Sequence, residues 1–369
     1  MLGQKLALDP VAQFPALKAI EYVELFVGNV RQAAHYYRTV WGFQPVAFQG
    51  LDTGSRDRMS IAMRQGNITL LLTGAIESSS EVAAHLQLHG EGVARVAFAV
   101  PDADAAYQAA LKRGARSVKE PETMRDEKGQ ITWAEVMAFD GFSHAFVDRN
   151  SYQGVLLPGF RALAFTPLRT PMINDLDHIA IAVEGGTLER WVAFYQDVFG
   201  FKVVHREDVA TEQSGMNSRV VQHPAGICKF PLVEPAPGKR QSQVQEFLGF
   251  HKGPGVQHLA VSASSIVDSV SKLRSNGVEF LRVPSTYYDG LERRVGDLRE
   301  ELDKLRDLSV LVDRDEWGHL LQIFARPCQD RPTMFFEVIE RRGARGFGGG
   351  NIRALFEAIE REQKLRGSL

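Results

Sequence analysis

The chain has 369 residues, 44% hydrophobic and 24% charged, with 43 Lys and Arg against 45 Asp and Glu. These proportions are those of a globular protein and set aside disordered, collagen-like and coiled-coil classes. A formal charge of −2 argues against polyanionic partners, so neither nucleic acid nor an anionic membrane surface is expected.

Residues 1–16 read as an N-terminal extension without the uninterrupted apolar stretch of a signal peptide. No run in the chain approaches the ~18 apolar residues of a membrane helix. The two cysteines, Cys228 and Cys328, lie outside any C-x-x-C pair, which suits a reducing compartment and predicts a cytoplasmic protein.

A first strand follows at Tyr22-Val-Glu-Leu-Phe-Val27, then a helical stretch with Ala33, Tyr36 and Tyr37, then Trp41-Gly42-Phe43. Gly90-Glu-Gly-Val-Ala-Arg-Val96 opens a second motif, with a strand through Val100 and a helix from about Ala103 to Arg113, stopped by Gly114. Residues 17–150 thus read as one domain. Pro158, Pro167 and Pro171 mark 151–174 as a linker.

The pattern then repeats. His178-Ile-Ala-Ile-Ala-Val183 is a strand, Trp191, Phe194 and Tyr195 belong to a helix, and Phe199-Gly200-Phe201 ends it. Gly253-Pro-Gly-Val-Gln-His-Leu259 leads to a strand and a helix from about Ile266 to Asn276, stopped by Gly277. Leu291, Val295, Leu298, Leu302 and Leu305 predict an amphipathic helix over 291–308. Ile352, Leu355, Phe356 and Ile359 share one face of a docked C-terminal helix. Order and punctuation agree between the halves, so 175–369 is a second copy of an α+β domain. The repeat is far longer than the roughly 50 residues of a solenoid unit.

The duplication filters the ten histidines. His178 stands where the first half has Tyr22, and His258 where it has Arg95. Glu337, between Phe336 and Val338 of the last strand, matches Ala145. A carboxylate in so apolar a run must be paired or bind a metal. Two histidines and one glutamate, all confined to one copy, suit a facial triad for non-haem Fe(II) with one octahedral face open. The alternative is two satisfied core histidines and a glutamate paired with an arginine. Gly346-Phe-Gly-Gly-Gly-Asn351 lacks the Lys of a phosphate-binding loop and reads as a turn, and no G-x-S-x-G elbow occurs.

Longer collinear motifs carry a resemblance. They are Leu176-Asp-His178, Gly253-Pro-Gly-Val-Gln-His258, Tyr287-Tyr288, Val312-Asp-Arg-Asp315, Leu320-Leu-Gln-Ile-Phe324, Asp330-Arg-Pro-Thr333, Phe336-Glu337 and Gly346-Phe-Gly348. With the terminal helix from Ala354 to Gln363, they make the second half resemble the 4-hydroxyphenylpyruvate dioxygenase family, which includes hydroxymandelate synthase, in the vicinal-oxygen-chelate superfamily. The first half resembles the family's metal-free module more loosely.

The resemblance implies tandem βαβββ modules forming two half-open β-barrels, with a C-terminal helix over the active site. It implies Fe(II) held by His178, His258 and Glu337, with 4-hydroxyphenylpyruvate and O2 as substrates. Ser218, Gln243, Gln257 and Gln322 match polar pocket residues, and Phe324, Phe335 and Phe347 match aromatic walls. Asn351 and Leu355 fall near the lid's inner face. A homo-oligomer, dimer or tetramer, is implied as well.

Two departures bear on product. Homogentisate-forming members have an amide where this chain has Val233, in Pro231-Leu-Val-Glu-Pro235, and a phenylalanine where it has Ile352. Both aliphatic residues resemble hydroxymandelate synthases, whereas Pro231, Ser242-Gln243 and Asp330-Arg-Pro-Thr333 resemble the dioxygenases. Losing an aromatic wall and a polar contact lets the substrate ring sit differently. Benzylic hydroxylation to 4-hydroxymandelate is therefore the expected reaction, with homogentisate as the alternative. An extradiol dioxygenase and a metal-free binding protein are the competing classes.

Overall fold

The computed structural model describes residues 14–164, 171–296, 298 and 301–367. In the first half, β1 (Ala19–Phe26), α1 (Val30–Thr39), β2 (Gln44–Gln49), β3 (Arg58–Gln65) and β4 (Ile68–Ala75) form one βαβββ module. Helix α2 (Glu81–His89) links it to the next: β5 (Gly92–Ala99), α3 (Ala103–Lys112), β6 (Arg116–Asp126), β7 (Gly129–Phe139) and β8 (Phe142–Tyr152). A two-residue strand, β9 (Arg161–Ala162), pairs with β2.

The second half repeats the plan. Its first module is β10 (Leu176–Ala182), α4 (Leu188–Phe199), β11 (Lys202–Ala210), β12 (Gly215–Gln222) and β13 (Lys229–Ala236), followed by the linking helix α5 (Gln243–His251). The last module holds β14 (Gly255–Ser262), α6 (Ile266–Ser275), α7 (Leu291–Val295), α8 (Leu302–Leu308), β15 (Leu311–Arg314), β16 (His319–Phe324) and β17 (Phe335–Arg342). Helix α9 (Gly349–Arg366) ends the chain.

The strands make two curled sheets, in the orders β6-β7-β8-β5-β1-β4-β3-β2-β9 and β11-β12-β13-β10-β14-β17-β16-β15. In both, the first strands of the two modules pair antiparallel at the centre (β1 with β5, β10 with β14). Each central strand also pairs in parallel with the last strand of its own module. The ladders shift register at matching places, between Leu176 and His178 and between Ala180 and Ile181, as between Ile20 and Tyr22 and between Glu24 and Leu25. Such irregularities bend a strand and re-aim its side chains, which helps each sheet curl.

Helices of both halves bury their apolar faces in one shared core. Trp41 after α1 packs on Phe336 of β17 with ring centroids 4.6 Å apart, and Phe14 meets Phe199 at 5.5 Å. Among the described residues no helix is long and apolar enough to cross a membrane.

Three elements differ from the sequence reading. Helices α2 and α5 were not legible, because α5 buries residues almost all round, including Gln243, Glu246 and His251; only their serine N-caps, Ser80 and Ser242, mark them. The amphipathic stretch 291–308 is two helices, since Gly296 adopts φ 84° and ends α7; residues 297, 299 and 300 lie outside the described residues. Within 151–174, where the proline-rich pattern reads as a connection, Leu156 and Leu157 are buried against the interior of the first sheet, and Pro167 lies outside the described residues.

Candidate metal centre

Three neighbouring strands of the second sheet bring the triad together. His178 on β10 lies opposite Ala260 of β14, and Ala260 lies beside Glu337 of β17. His258, two residues before Ala260, faces Ala180. The side chains meet on the concave side: Glu337 Oε2 is 3.3 Å from His178 Nε2 and 3.4 Å from His258 Nε2. The two Nε2 atoms are 3.4 Å apart, and all three residues are buried.

The corresponding register positions of the first sheet hold Tyr22, Arg95 and Ala145. There Arg95 bridges Glu24 and Glu135, Ser143 also hydrogen-bonds Glu135, and Tyr22 accepts from Trp133 Nε1 at 3.1 Å. The first half thus fills its centre with a buried ion network, while the second leaves three ligand atoms converging.

The donors fit a divalent cation. Bonds of about 2.1 Å to one ion place adjacent ligand atoms roughly 3.0–3.4 Å apart. Both outer imidazole nitrogens have acceptors: His178 Nδ1 donates to Asp177 Oδ1 at 2.9 Å, and His258 Nδ1 lies 3.3 Å from Gln257 Oε1. With the proton on Nδ1, each neutral ring turns its Nε2 lone pair toward the carboxylate, where only a cation satisfies all three. Among the described residues, this is the one group of His, Cys, Asp and Glu side chains spaced to hold a metal.

Protonated imidazoles are the alternative partners of the buried carboxylate, and they compete with a metal for the same Nε2 atoms. Burial alone pushes the Glu337 carboxyl up, but His178 and His258 outweigh it and bring it down to about 2. Burial lowers His258, whereas for His178 the pull of Glu337 and Asp177 exceeds burial and raises it. Asp177 is held well below the usual carboxylate range, because the hydrogen bonds of Arg341 and His178 overcome its desolvation.

A hydrogen-bonded chain leads from the triad to the terminal helix. Gln322 Nε2 donates to Glu337 Oε1 at 2.7 Å, and its Oε1 accepts from Asn351 Nδ2 of α9 at 2.8 Å. Tyr287 OH lies 3.1 Å from Asn351 Oδ1. The helix closes the open side of the sheet, whose edge strands are β11 and β15. Asp313 of β15 accepts from Gly350 N at 2.8 Å, and the Glu207 carboxylate of β11 packs against Gly349. One carboxylate from each edge therefore complements the positive end of α9.

The cavity beside the triad is bounded by Ser218, Val233 and Pro231 on one side and by Ile352, Leu355 and Phe347 under the lid. Gln243, Gln257, Gln322 and Phe324 line other parts of it, with His205, Met216 and Val220. Phe347 meets His178 edge-on at 5.3 Å, and Phe335 stacks on His258 at 4.9 Å. Phe335 lines a neighbouring chamber of about 360 Å³, which shares Gln243 and Gln257 with the metal cavity of about 50 Å³. The smaller space holds on the order of a few waters. Asn351 is not on the wall; it sits fully buried behind Gln322.

Sequence reasoning assigned no role to Asp177, Arg341 or His205, all of which touch the triad's support or its cavity. Alternation along a strand sends neighbours to opposite faces. The register shift at Leu176–His178 is what lets Asp177 orient its own neighbour. Spacing carries no signal for that.

The chain matches the glyoxalase/bleomycin resistance protein/dioxygenase superfamily over residues 19–146 and 175–323, and belongs to it. A 4-hydroxyphenylpyruvate dioxygenase of Dictyostelium discoideum is 41% identical over 367 residues, covering 96% of this chain and 100% of that protein. One from Coccidioides posadasii (strain C735) is 39% identical over 377 residues, covering 95% and 94%. Among solved structures, a triple mutant of 4-hydroxymandelate synthase from Streptomyces coelicolor superposes with a TM-score of 0.87 at 36% identity, covering 95% of this chain and 99% of that one. The chain is a dioxygenase-family enzyme: it belongs to the family of the 4-hydroxyphenylpyruvate dioxygenases and 4-hydroxymandelate synthases.

Proposed function

We propose that residues 175–369 form an Fe(II) centre that couples oxidative decarboxylation of 4-hydroxyphenylpyruvate by O2 to hydroxylation of the benzylic carbon, giving 4-hydroxymandelate and CO2. Bound Fe(II) supplies Lewis acidity and a template on which a 2-oxo acid and O2 meet. His178, His258 and Glu337 hold it, and Asp177 and Gln322 fix the orientation of two of these ligands.

The substrate's ring lies against the remaining walls. Ser218 is the hydroxyl on the β12 side, Gln243 and Gln257 offer amides, and Phe324, Phe335 and Phe347 supply aromatic faces. Leu355 and Ile352 cover the cavity and exclude water, which limits side reactions.

One observation carries the choice of product. Val233 and Ile352 pack in one apolar cluster at the wall of the cavity, which Gln322 and Glu337 also line. An aliphatic wall holds the ring less rigidly than a stacked phenylalanine and an amide, and leaves the benzylic carbon as the nearer target. The second reading, ring hydroxylation with side-chain migration to homogentisate, is favoured by Pro231 at the same wall and by the names of the relatives.

The two products are isomers, so mass does not separate them. Iron-loaded protein is incubated with 4-hydroxyphenylpyruvate and O2, and the product is identified by chromatography against authentic standards. Hydroxymandelate is expected; homogentisate as the main product overturns the product assignment, and no O2 uptake with any aryl-pyruvate overturns the enzyme reading.

A further inference from the structure

A single guanidinium reaches from the metal ligand to the lid. Arg341, near the end of β17, donates Nε to Asp177 Oδ2 at 2.7 Å and Nη2 to Asp177 Oδ1 at 2.9 Å. The same Oδ1 accepts from His178 Nδ1. On its other side, Arg341 Nη1 donates to the carbonyl of Gly346 at 2.7 Å and reaches that of Ala344 at 3.4 Å. Its face lies 5.4 Å over the Phe347 ring, which itself packs against His178.

The turn so gripped joins β17 to α9. Gly343 and Gly348 bracket it with φ of 90° and 69°, where only glycine sits without strain. Asp315 Oδ2 braces it by accepting from Arg345 N at 2.7 Å and Gly346 N at 2.8 Å. Beyond Gly348 the helix begins, and with it Ile352 and Leu355 on the cavity wall.

We propose that Arg341 is a positioning residue that couples metal binding at His178 to the seating of α9, through Asp177 on one side and the Ala344–Phe347 turn on the other. A planar fork suits this better than a lysine, because it binds the carboxylate through two nitrogens and still turns a third outward. Cation binding fixes the His178 ring and hence Asp177 and Arg341, so it orders the turn. By linkage, an ordered turn strengthens cation binding by the same factor. The inference rests on the metal-site reading above.

The test uses the full chain, with Fe(II) alone as probe under anaerobic conditions. Affinity is read by competition with a chromophoric chelator, and exchange of residues 343–350 by hydrogen–deuterium mass spectrometry with and without Fe(II). In the unsubstituted protein, Fe(II) should slow exchange in the turn by at least about tenfold, a coupling of about 1.4 kcal/mol. Arg341→Gln should lose that protection and weaken Fe(II) binding about 10–100-fold.

Because Arg341→Gln leaves Asp177 buried with Lys229 as its remaining cation, 3.7 Å away, the double variant Asp177→Asn with Arg341→Gln removes both charges. It keeps an acceptor for His178 Nδ1, and should fold yet still lack Fe(II)-dependent protection. Persisting protection in the folded double variant overturns the inference, as does Fe(II) binding to the unsubstituted protein without effect on the turn. Failure of the unsubstituted protein to bind Fe(II) at all sinks the metal reading itself, which is a different result.

Discussion

Two buried histidines of a three-ring column should make this protein acid-sensitive. His85 and His89 of α2 and His251 of α5 form a column across the two halves, with ring centroids 4.8 and 4.7 Å apart, between Phe26 and Phe247. His89 Nδ1 lies 2.7 Å from the His251 carbonyl, and His85 Nε2 is buried with no hydrogen-bond partner among the described residues. Burial, reinforced by the neighbouring imidazoles, lowers His85 from 6.5 to about 3 and His251 to about 4.

Folding therefore holds both rings neutral. The unfolded chain takes up protons first as pH falls below about 6.5, so stability present above that value is lost on acidification toward the folded-state values. At pH 5 a histidine kept neutral by folding costs about 2 kcal/mol, so the two together cost about 4 kcal/mol. That is a large share of a typical 5–15 kcal/mol and roughly 5 °C in melting temperature for a chain of this size.

The assay compares urea unfolding at pH 7.5 and pH 5 for the unsubstituted protein and His85→Leu. The leucine should be near neutral at pH 7.5, since it removes an unpaired buried nitrogen, and should recover about half of the acid loss. If His85→Leu loses as much stability between the two pH values as the parent does, the reasoning is wrong.

Further outcomes follow from the two sheet centres and the cavity. Arg95→Met should cost about 3–5 kcal/mol in chemical denaturation, because it strands Glu24 and Glu135 in the interior. A triple replacement that also makes both glutamates leucine should recover most of that loss. Glu337→Ala should abolish stoichiometric Fe(II) by metal analysis while preserving the circular dichroism spectrum, since it removes the carboxylate that both Nε2 atoms face. Val233→Asn with Ile352→Phe should move the product ratio toward homogentisate by at least about threefold, about 0.7 kcal/mol between competing barriers; an unchanged chromatogram would remove these two side chains from the product choice.

The α+β duplication was legible because its signals are local. Alternating strands, helix-spaced apolar residues and glycine stops recur in the same order in both halves, and each depends on near neighbours in sequence. His178, His258 and Glu337 stood out for a related reason: a polar group inside an apolar strand requires explanation, and the first copy, with Tyr22, Arg95 and Ala145, shows the strand folds without them. Helix α5 was missed because burial on nearly every side erases periodicity, and α2 because two of its three buried residues are histidines, which leaves no apolar stripe.

The sequence alone, then, determined the repeated α+β plan and the residue types able to ligate a cation, since strand and helix periods and the cost of burying charge are properties of short segments. Tertiary structure decided which groups satisfy one another. Only the sheet register brings Glu337 to the two imidazoles, and only a shift in that register turns Asp177 back toward His178. Only the return of β17 beside β14 lets Arg341 clasp a carboxylate 164 residues away. Contacts of that separation depend on how curled sheets close, and no short segment encodes them.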